Sequence, residues 1–334
     1  MPHTIVRGPG NSPGHARLPR HQTPVPHALL GPWPRGNSGA VPSHCKASQP
    51  LRELTRPIPW RNNTKVMFKT AIGFLTLSAT LLPLFAQEDN YNVHLWEPGK
   101  VPLSVGEGPL DNPFLTVFAP PAAKRNGSAV IIAPGGSNIM LMYGLEGIEV
   151  AERMNDWGTV AFVLTYRLSP RYNEAARVLD GNRAMRLVKT RAKEWGVDPN
   201  RITFAGFSAG STMARGVANA AGPGDPNAAD PIDRMDSKAH SLVMVYGPGR
   251  SNPKENLKEF PPTFLLSAAA DPGAANGSAQ LFLDMNKAGG VAELHIFQRG
   301  RHGFGAASTS PEFSPWMDAL KHFLDLNNFF TGTK

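Results

Sequence analysis

The chain has 334 residues, enough for one large α/β domain or two small ones. Its formal charge of +8 is unevenly placed: residues 1–66 carry nine Lys/Arg against a single acid, Glu53, and the rest carries 25 of each sign. The body therefore lacks the electrostatic footprint of a nucleic-acid binder. The only cysteine, Cys45, also lies in the basic segment, so the body has neither a disulfide nor a thiolate metal site.

Residues 1–66 are rich in Pro, Gly, His and Arg and show no sustained apolar period. Such a stretch buries too little surface to offset its chain entropy and is expected to be disordered. Two readings stand: a basic tail for an anionic surface, or sequence upstream of a true start at Met67. Residues 67–86 have a short basic start (Lys69), an apolar centre from Ala71 to Leu82, and Leu84-Phe85-Ala86 before the polar Gln87-Glu88-Asp89. This is the layout of a secretory signal peptide cleaved after Ala86, and it implies a secreted or periplasmic protein. The apolar run falls short of the roughly 20 residues of a comfortable span. An uncleaved anchor or a buried helix is the competing reading.

Residues 87–334 are expected to form one domain. Leu95-Trp96 and Leu115 to Phe118 have short strand character between Pro/Gly turns. From Ala129 the pattern becomes strand–helix alternation. Ala129 to Ala133 is a strand without polar interruption, as expected when both faces are covered. Further strands are expected at Thr159–Tyr166, Ile202–Ala205, Ser241–Tyr246, Thr263–Ala268 and Ala292–Phe297. Helices are expected at Glu146–Trp157, Asp180–Trp195, Thr212–Ala221, Ala279–Ala288 and Pro315–Phe329. Repeated units of this kind predict an α/β fold, a mostly parallel central sheet with helices on both faces.

The chemistry is expected where strands end. Gly206-Phe207-Ser208-Ala209-Gly210 follows one strand and opens a helix, so a tight turn lifts Ser208 clear of its neighbours. A serine hydroxyl needs a base to become a nucleophile. Asp271 follows the strand 263–268, and His302 follows the strand 292–297 in Gly300-Arg301-His302-Gly303. Along the chain the order is nucleophile, acid, base: His302 would take the Ser208 proton, and Asp271 would fix its tautomer. Activity would then rise with pH around about 6–7, where an ordinary imidazole loses its proton. Oxyanion donors are expected from the Ala209 N–H and from Gly136 and Ser137 in the Pro134-Gly135-Gly136-Ser137 turn. Met140 and Tyr143, in the apolar run after that turn, could line an acyl pocket or belong to the core. Asp180 reads as a structural ion-pair or capping residue. The remaining body histidines, His94, His240, His295 and His322, have no metal-ligand spacing, so no metal is expected.

Those residues, with Val130 to Gly136, Glu146-Gly147, Ala161 to Leu168, Glu194 to Ile202 and Glu293 to Phe297, give the chain its likeness to known proteins. It resembles the α/β-hydrolase fold, and most closely the acetyl-xylan-esterase and feruloyl-esterase-like carbohydrate esterases, over roughly 95–330. The resemblance implies a serine esterase acting on acyl, chiefly acetyl, esters of carbohydrate such as xylan, without a cofactor. By it Ser208, Asp271 and His302 take the roles of nucleophile, acid and base. Ser137 stands where such chains often carry a third glycine, and Ala270 precedes a single Asp271 where they often carry two. A serine peptidase of the prolyl-oligopeptidase-like group and a weakly active carbohydrate-binding homologue are the alternatives.

Overall fold

A computed structural model describes residues 90–247, 254–308, 313 and 315–331. The basic segment 1–66, the apolar segment 67–86 and the cleavage point after Ala86 lie outside the described residues. Eight strands form one sheet: β1 (Asn90–His94), β2 (Phe114–Phe118), β3 (Ala129–Ala133), β4 (Val160–Thr165), β5 (Ile202–Phe207), β6 (Ser241–Val245), β7 (Thr263–Ala268) and β8 (Ala292–Phe297). Their spatial order is β1-β2-β4-β3-β5-β6-β7-β8. The pairs β1–β2 and β2–β4 are antiparallel, and every pair from β4 across to β8 is parallel.

The chain winds outward from β3 in both directions. β4 lies on one side of it, and β5 crosses over to the other. That reversal opens a crevice at the carboxyl ends of β3 and β5, where open α/β sheets place their ligands. Register carries it onward: Ala133 pairs with Gly206, and Phe207 with Val245. The ends of β3, β5 and β6 thus share one edge.

Alternate residues of each strand point to opposite faces. Ile131, Phe162, Phe204, Met244 and Leu265 pack beneath α2 (Glu174–Thr190) and α4 (Ala209–Asn219). Ile132, Val163, Ala205, Val243 and Leu266 pack beneath α1 (Glu149–Asp156) and α6 (Pro315–Leu326). Both faces are covered, which is why all of β3, β5, β6 and β7 is buried. Short α3 (Ala192–Trp195) and long α5 (Pro272–Ala288) complete the helices.

Several boundaries differ from the sequence expectation. The stretch expected to start a helix at Glu146 is a π-helical turn, Gly144–Ile148, feeding α1. α2 starts at Glu174 rather than Asp180, because the Asn173 side chain accepts from the Ala176 N–H and caps it. α5 starts seven residues before Ala279 for the same reason: Asp271 caps it, accepting from the Ala274 N–H, and Pro272 takes the first turn. Leu95 is buried but follows β1 rather than forming a strand with Trp96.

Asp180 therefore lies inside α2, fully buried. Arg167 clasps it: Nη2 donates to Oδ1 at 2.6 Å, Nε reaches both oxygens at 3.0 and 3.1 Å, and the Arg167 backbone N–H adds a bond to Oδ2 at 3.0 Å. The guanidinium also lies 5.0 Å from the Tyr172 ring centre, within cation–π range.

Candidate active site

β5 ends in the turn that carries Ser208. Its φ of 51° and ψ of −117° lie outside the regions open to most L-residues. Such a conformation costs on the order of 1–3 kcal/mol and persists only where the surroundings enforce it. They do: a Cβ on Gly206 would sit 2.1 Å from the Gly210 carbonyl oxygen, and one on Gly210 would sit 1.9 Å from that of Ala133. Only glycine lets strand and helix approach this closely.

Two other strand ends meet that serine. Ser208 Oγ lies 2.6 Å from His302 Nε2, and His302 Nδ1 lies 2.5 Å from Asp271 Oδ2. Residues 208, 271 and 302 thus form one continuous hydrogen-bonded chain. Asp271 has two tasks, one per oxygen: Oδ2 holds the imidazole and Oδ1 caps α5. The His302 side chain is half exposed and that of Asp271 largely covered, so base and nucleophile face solvent while the acid is screened.

The triad stands at the rim of a cavity of about 740 Å³. Besides the triad, the described lining is Ser137, Ala209, Thr212, Tyr246, Gly247, Gly273, Ala274, Asn276, Gly277 and Gln280, which includes no Lys, Arg or Glu. Ala209 is the first residue of α4, and no carbonyl within the helix can reach its N–H. Ser137 flanks Ser208 from the β3 side at φ 56°, one residue after Gly136 at φ 127°. The loop is wound tightly here: Ile139 and Met140 donate their N–H groups to the Gly136 carbonyl. The Gly135 N–H is committed elsewhere, to Glu146, which restricts the donors this loop can offer an oxyanion to the residues after it.

Neither residue suggested for an acyl pocket is among the described residues lining this cavity. Met140 is 55 % exposed and is not among the residues lining the cavity. Tyr143 faces the other way, its hydroxyl 2.5 Å from Thr116 Oγ1 on β2 in a different cavity. The chain leaves the Gly135–Ser137 turn toward the antiparallel edge of the sheet, and that run goes with it.

Two residues not singled out for the site lie directly behind it. The Glu146 carboxylate is 1 % exposed and accepts from the Gly135 N–H at 2.7 Å and from the Tyr246 hydroxyl at 2.8 Å. The Tyr246 oxygen accepts in turn from the Gly305 N–H at 3.0 Å. The Tyr246 ring lies 4.9 Å from that of His302. Burial pushes the Glu146 carboxyl above the ordinary range, and burial, reinforced by Glu146, pushes the Tyr246 hydroxyl well above its own. In the sequence Glu146 showed as part of the Glu146-Gly147 match and as a charged residue between Gly144-Leu145 and Gly147-Ile148, neither of which assigned it to the site.

Residues 149–235 match the alpha/beta hydrolase fold family. Over 227 residues the chain is 31 % identical to an acetylxylan esterase of Xylanibacter ruminicola, a match covering 61 % of this chain and 45 % of that protein. It is 28 % identical over 162 residues to esterase LipQ of Mycobacterium tuberculosis, covering 48 % and 38 %. The chain thus spans less than half the length of these two curated relatives. Among solved structures, an acetyl ester-xyloside bifunctional hydrolase from Caldicellulosiruptor lactoaceticus superposes with a TM-score of 0.66 at 29 % identity, covering 72 % of this chain and 97 % of that one. An esterase from Thermogutta terrifontis shares the fold at 20 % identity, with a TM-score of 0.59. The chain has the α/β-hydrolase fold, and it resembles an acetylxylan esterase in sequence and an acetyl ester-xyloside hydrolase in structure.

Proposed function

We propose that this chain is a secreted serine esterase that removes small acyl groups, acetyl above all, from carbohydrate such as xylan. The observation that carries the proposal is the Ser208–His302–Asp271 chain of hydrogen bonds opening onto a cavity lined by small and neutral polar residues. Asn276, Gln280 and Thr212 offer amide and hydroxyl groups suited to sugar hydroxyls. Among the described residues, the lining beyond the triad is small and uncharged, which suits a neutral sugar ester. The acetylxylan esterase likeness supports the same substrate class.

In this reading His302 removes the Ser208 proton as Oγ attacks the ester carbonyl, and Asp271 stabilises the imidazolium. The carbonyl oxygen becomes an anion held by the Ala209 N–H and by the Gly136–Ser137 turn. His302 then passes its proton to the departing sugar oxygen, leaving an acyl-enzyme on Ser208. Water, deprotonated by His302, attacks that ester, acetate leaves, and the serine regains its proton. No step draws on a cofactor.

Acetate release from acetylated xylan, with p-nitrophenyl acetate alongside and Ser208→Ala as control, tests the proposal. Release from both, lost in the variant, is the expected result. Hydrolysis of the small ester alone would retain the esterase and refute the carbohydrate substrate. Inactivity on both would refute the enzyme and favour a carbohydrate-binding homologue.

A further inference from the structure

We infer that Glu146 and Tyr246 are a positioning pair that fixes the oxyanion loop and the histidine loop relative to one another; the inference rests on the esterase reading of the same site. Four groups form one line of hydrogen bonds: the Gly135 N–H donates to Glu146, the Tyr246 hydroxyl donates to the other Glu146 oxygen, and the Gly305 N–H donates to the Tyr246 oxygen. Each end of the line reaches catalytic machinery within three residues. Gly135 lies two before Ser137, and Gly305 lies three after His302. The middle touches it as well, because the Tyr246 ring packs against the imidazole.

The chemistry of the pair points away from a purely stabilising role. A carboxylate is costly to bury, and the Gly135 N–H and the Tyr246 hydroxyl that donate to Glu146 are both neutral. For stability alone, apolar groups of the same shape generally serve as well or better than buried charge. Charged acceptors do, however, make short and directional bonds. That property matters where two loops 170 residues apart in sequence must be held within a fraction of an ångström of a productive geometry. Tyr246 pays for its place in backbone strain, at φ 40° just past β6, which aims its ring at His302 instead of continuing the strand. Glu146 is not among the described residues lining the cavity, and the hydroxyl of Tyr246, which does line it, is bound to Glu146 and to the Gly305 N–H. Both act through the catalytic groups they hold in place.

The test uses full-length protein carrying Tyr246→Phe, Glu146→Gln and both together. kcat and KM for p-nitrophenyl acetate are measured with active molecules counted by a fluorophosphonate, and the rate of that labelling is recorded as a second readout. Tyr246→Phe removes one oxygen and leaves the ring on His302. Glu146→Gln keeps one acceptor but not two. Each single variant should lose roughly tenfold or more in kcat per labelled site, less than the 100- to 1000-fold typical of deleting an oxyanion donor itself. KM should stay within about twofold, since the interactions at stake strengthen toward the transition state. The double variant should be no worse than the poorer single, because the line is already broken once. A kcat per site and labelling rate in Tyr246→Phe within about twofold of the parent would overturn the inference, as would fully additive losses. Failure of the esterase reading would show separately, in a parent chain that labels at Ser208 yet hydrolyses no ester. The labelling rates would then still decide the pair.

Discussion

Two carboxylates in this fold each grip a base beside a long helix, and the two regions put the same interaction to opposite uses. Asp180, in α2, holds Arg167 where both side chains are fully buried and six hydrogen bonds involve the guanidinium or the carboxylate. Asp271 holds His302 at the carboxyl edge of the sheet, where the imidazole is half exposed and its second nitrogen is turned to Ser208. A guanidinium keeps its charge at every physiological pH, and here it is sealed from solvent with Asp180, so the first pair can only brace. An imidazole gains and loses a proton near neutrality, so the second can cycle. What separates scaffold from chemistry here is the titrating partner and its open side, not the carboxylate.

Breaking the open region should cost most, and in rate alone. Ser208→Ala removes the nucleophile and should lower kcat by about a millionfold, the scale seen when a triad serine is lost. Thermal unfolding should be nearly unchanged, and a large drop in melting temperature would show that the elbow serine also braces the fold. Asp271→Asn comes next. Asparagine caps helices as well as aspartate does, so α5 should survive, while the imidazole loses its orienting anion and kcat falls by about 10⁴-fold. Steady-state kinetics beside far-ultraviolet circular dichroism checks both halves of that statement.

The closed region should respond in the other currency. Asp180→Ala leaves Arg167 charged, buried and unpaired, a change that typically costs about 3–5 kcal/mol. Urea unfolding should show that loss, with kcat per folded molecule retained. If Asp180→Ala instead kept its stability and lost its rate, the division between the two regions would fail.

Most of this division was legible in the sequence, because it rests on strand ends. The strands Thr263–Ala268 and Ala292–Phe297 fall where expected, the first a short, largely apolar run and the second an alternating edge strand, each closed by turn residues, and they carry Asp271 and His302 to the edge where Ser208 waits. The helix starts were harder to read. Gly273 and Gly277 make the first turns of α5 look like loop, yet a capping aspartate and Pro272 outweigh their low propensity. The direction in which a loop leaves a turn was not legible at all, and so Tyr143 reads as a pocket residue while its hydroxyl is bound to Thr116. Nor was the Glu146–Tyr246 bond, which joins side chains 100 residues apart and depends on β3 and β6 flanking β5.

Glu146 sharpens the comparison further, because it is buried like Asp180 but lies beside the site like Asp271. Its carboxyl is raised by burial, so folding favours the protonated form. The sign follows from linkage: where the folded state binds more protons than the unfolded one, stability falls as pH rises. The contribution of Glu146 should therefore be fully present below the ordinary carboxylate range and decline from there up to its raised folded value. The slope can reach at most about 1.4 kcal/mol per pH unit. Other carboxylates titrate in the same window, so the measurement is a difference, the urea midpoint of the parent chain minus that of Glu146→Gln, followed from pH 4 to pH 8. That difference should fall with rising pH and then level off. A difference that rises would mean that Glu146 is stabilised as the anion, by its bonds from the Gly135 N–H and the Tyr246 hydroxyl and by the nearby His302.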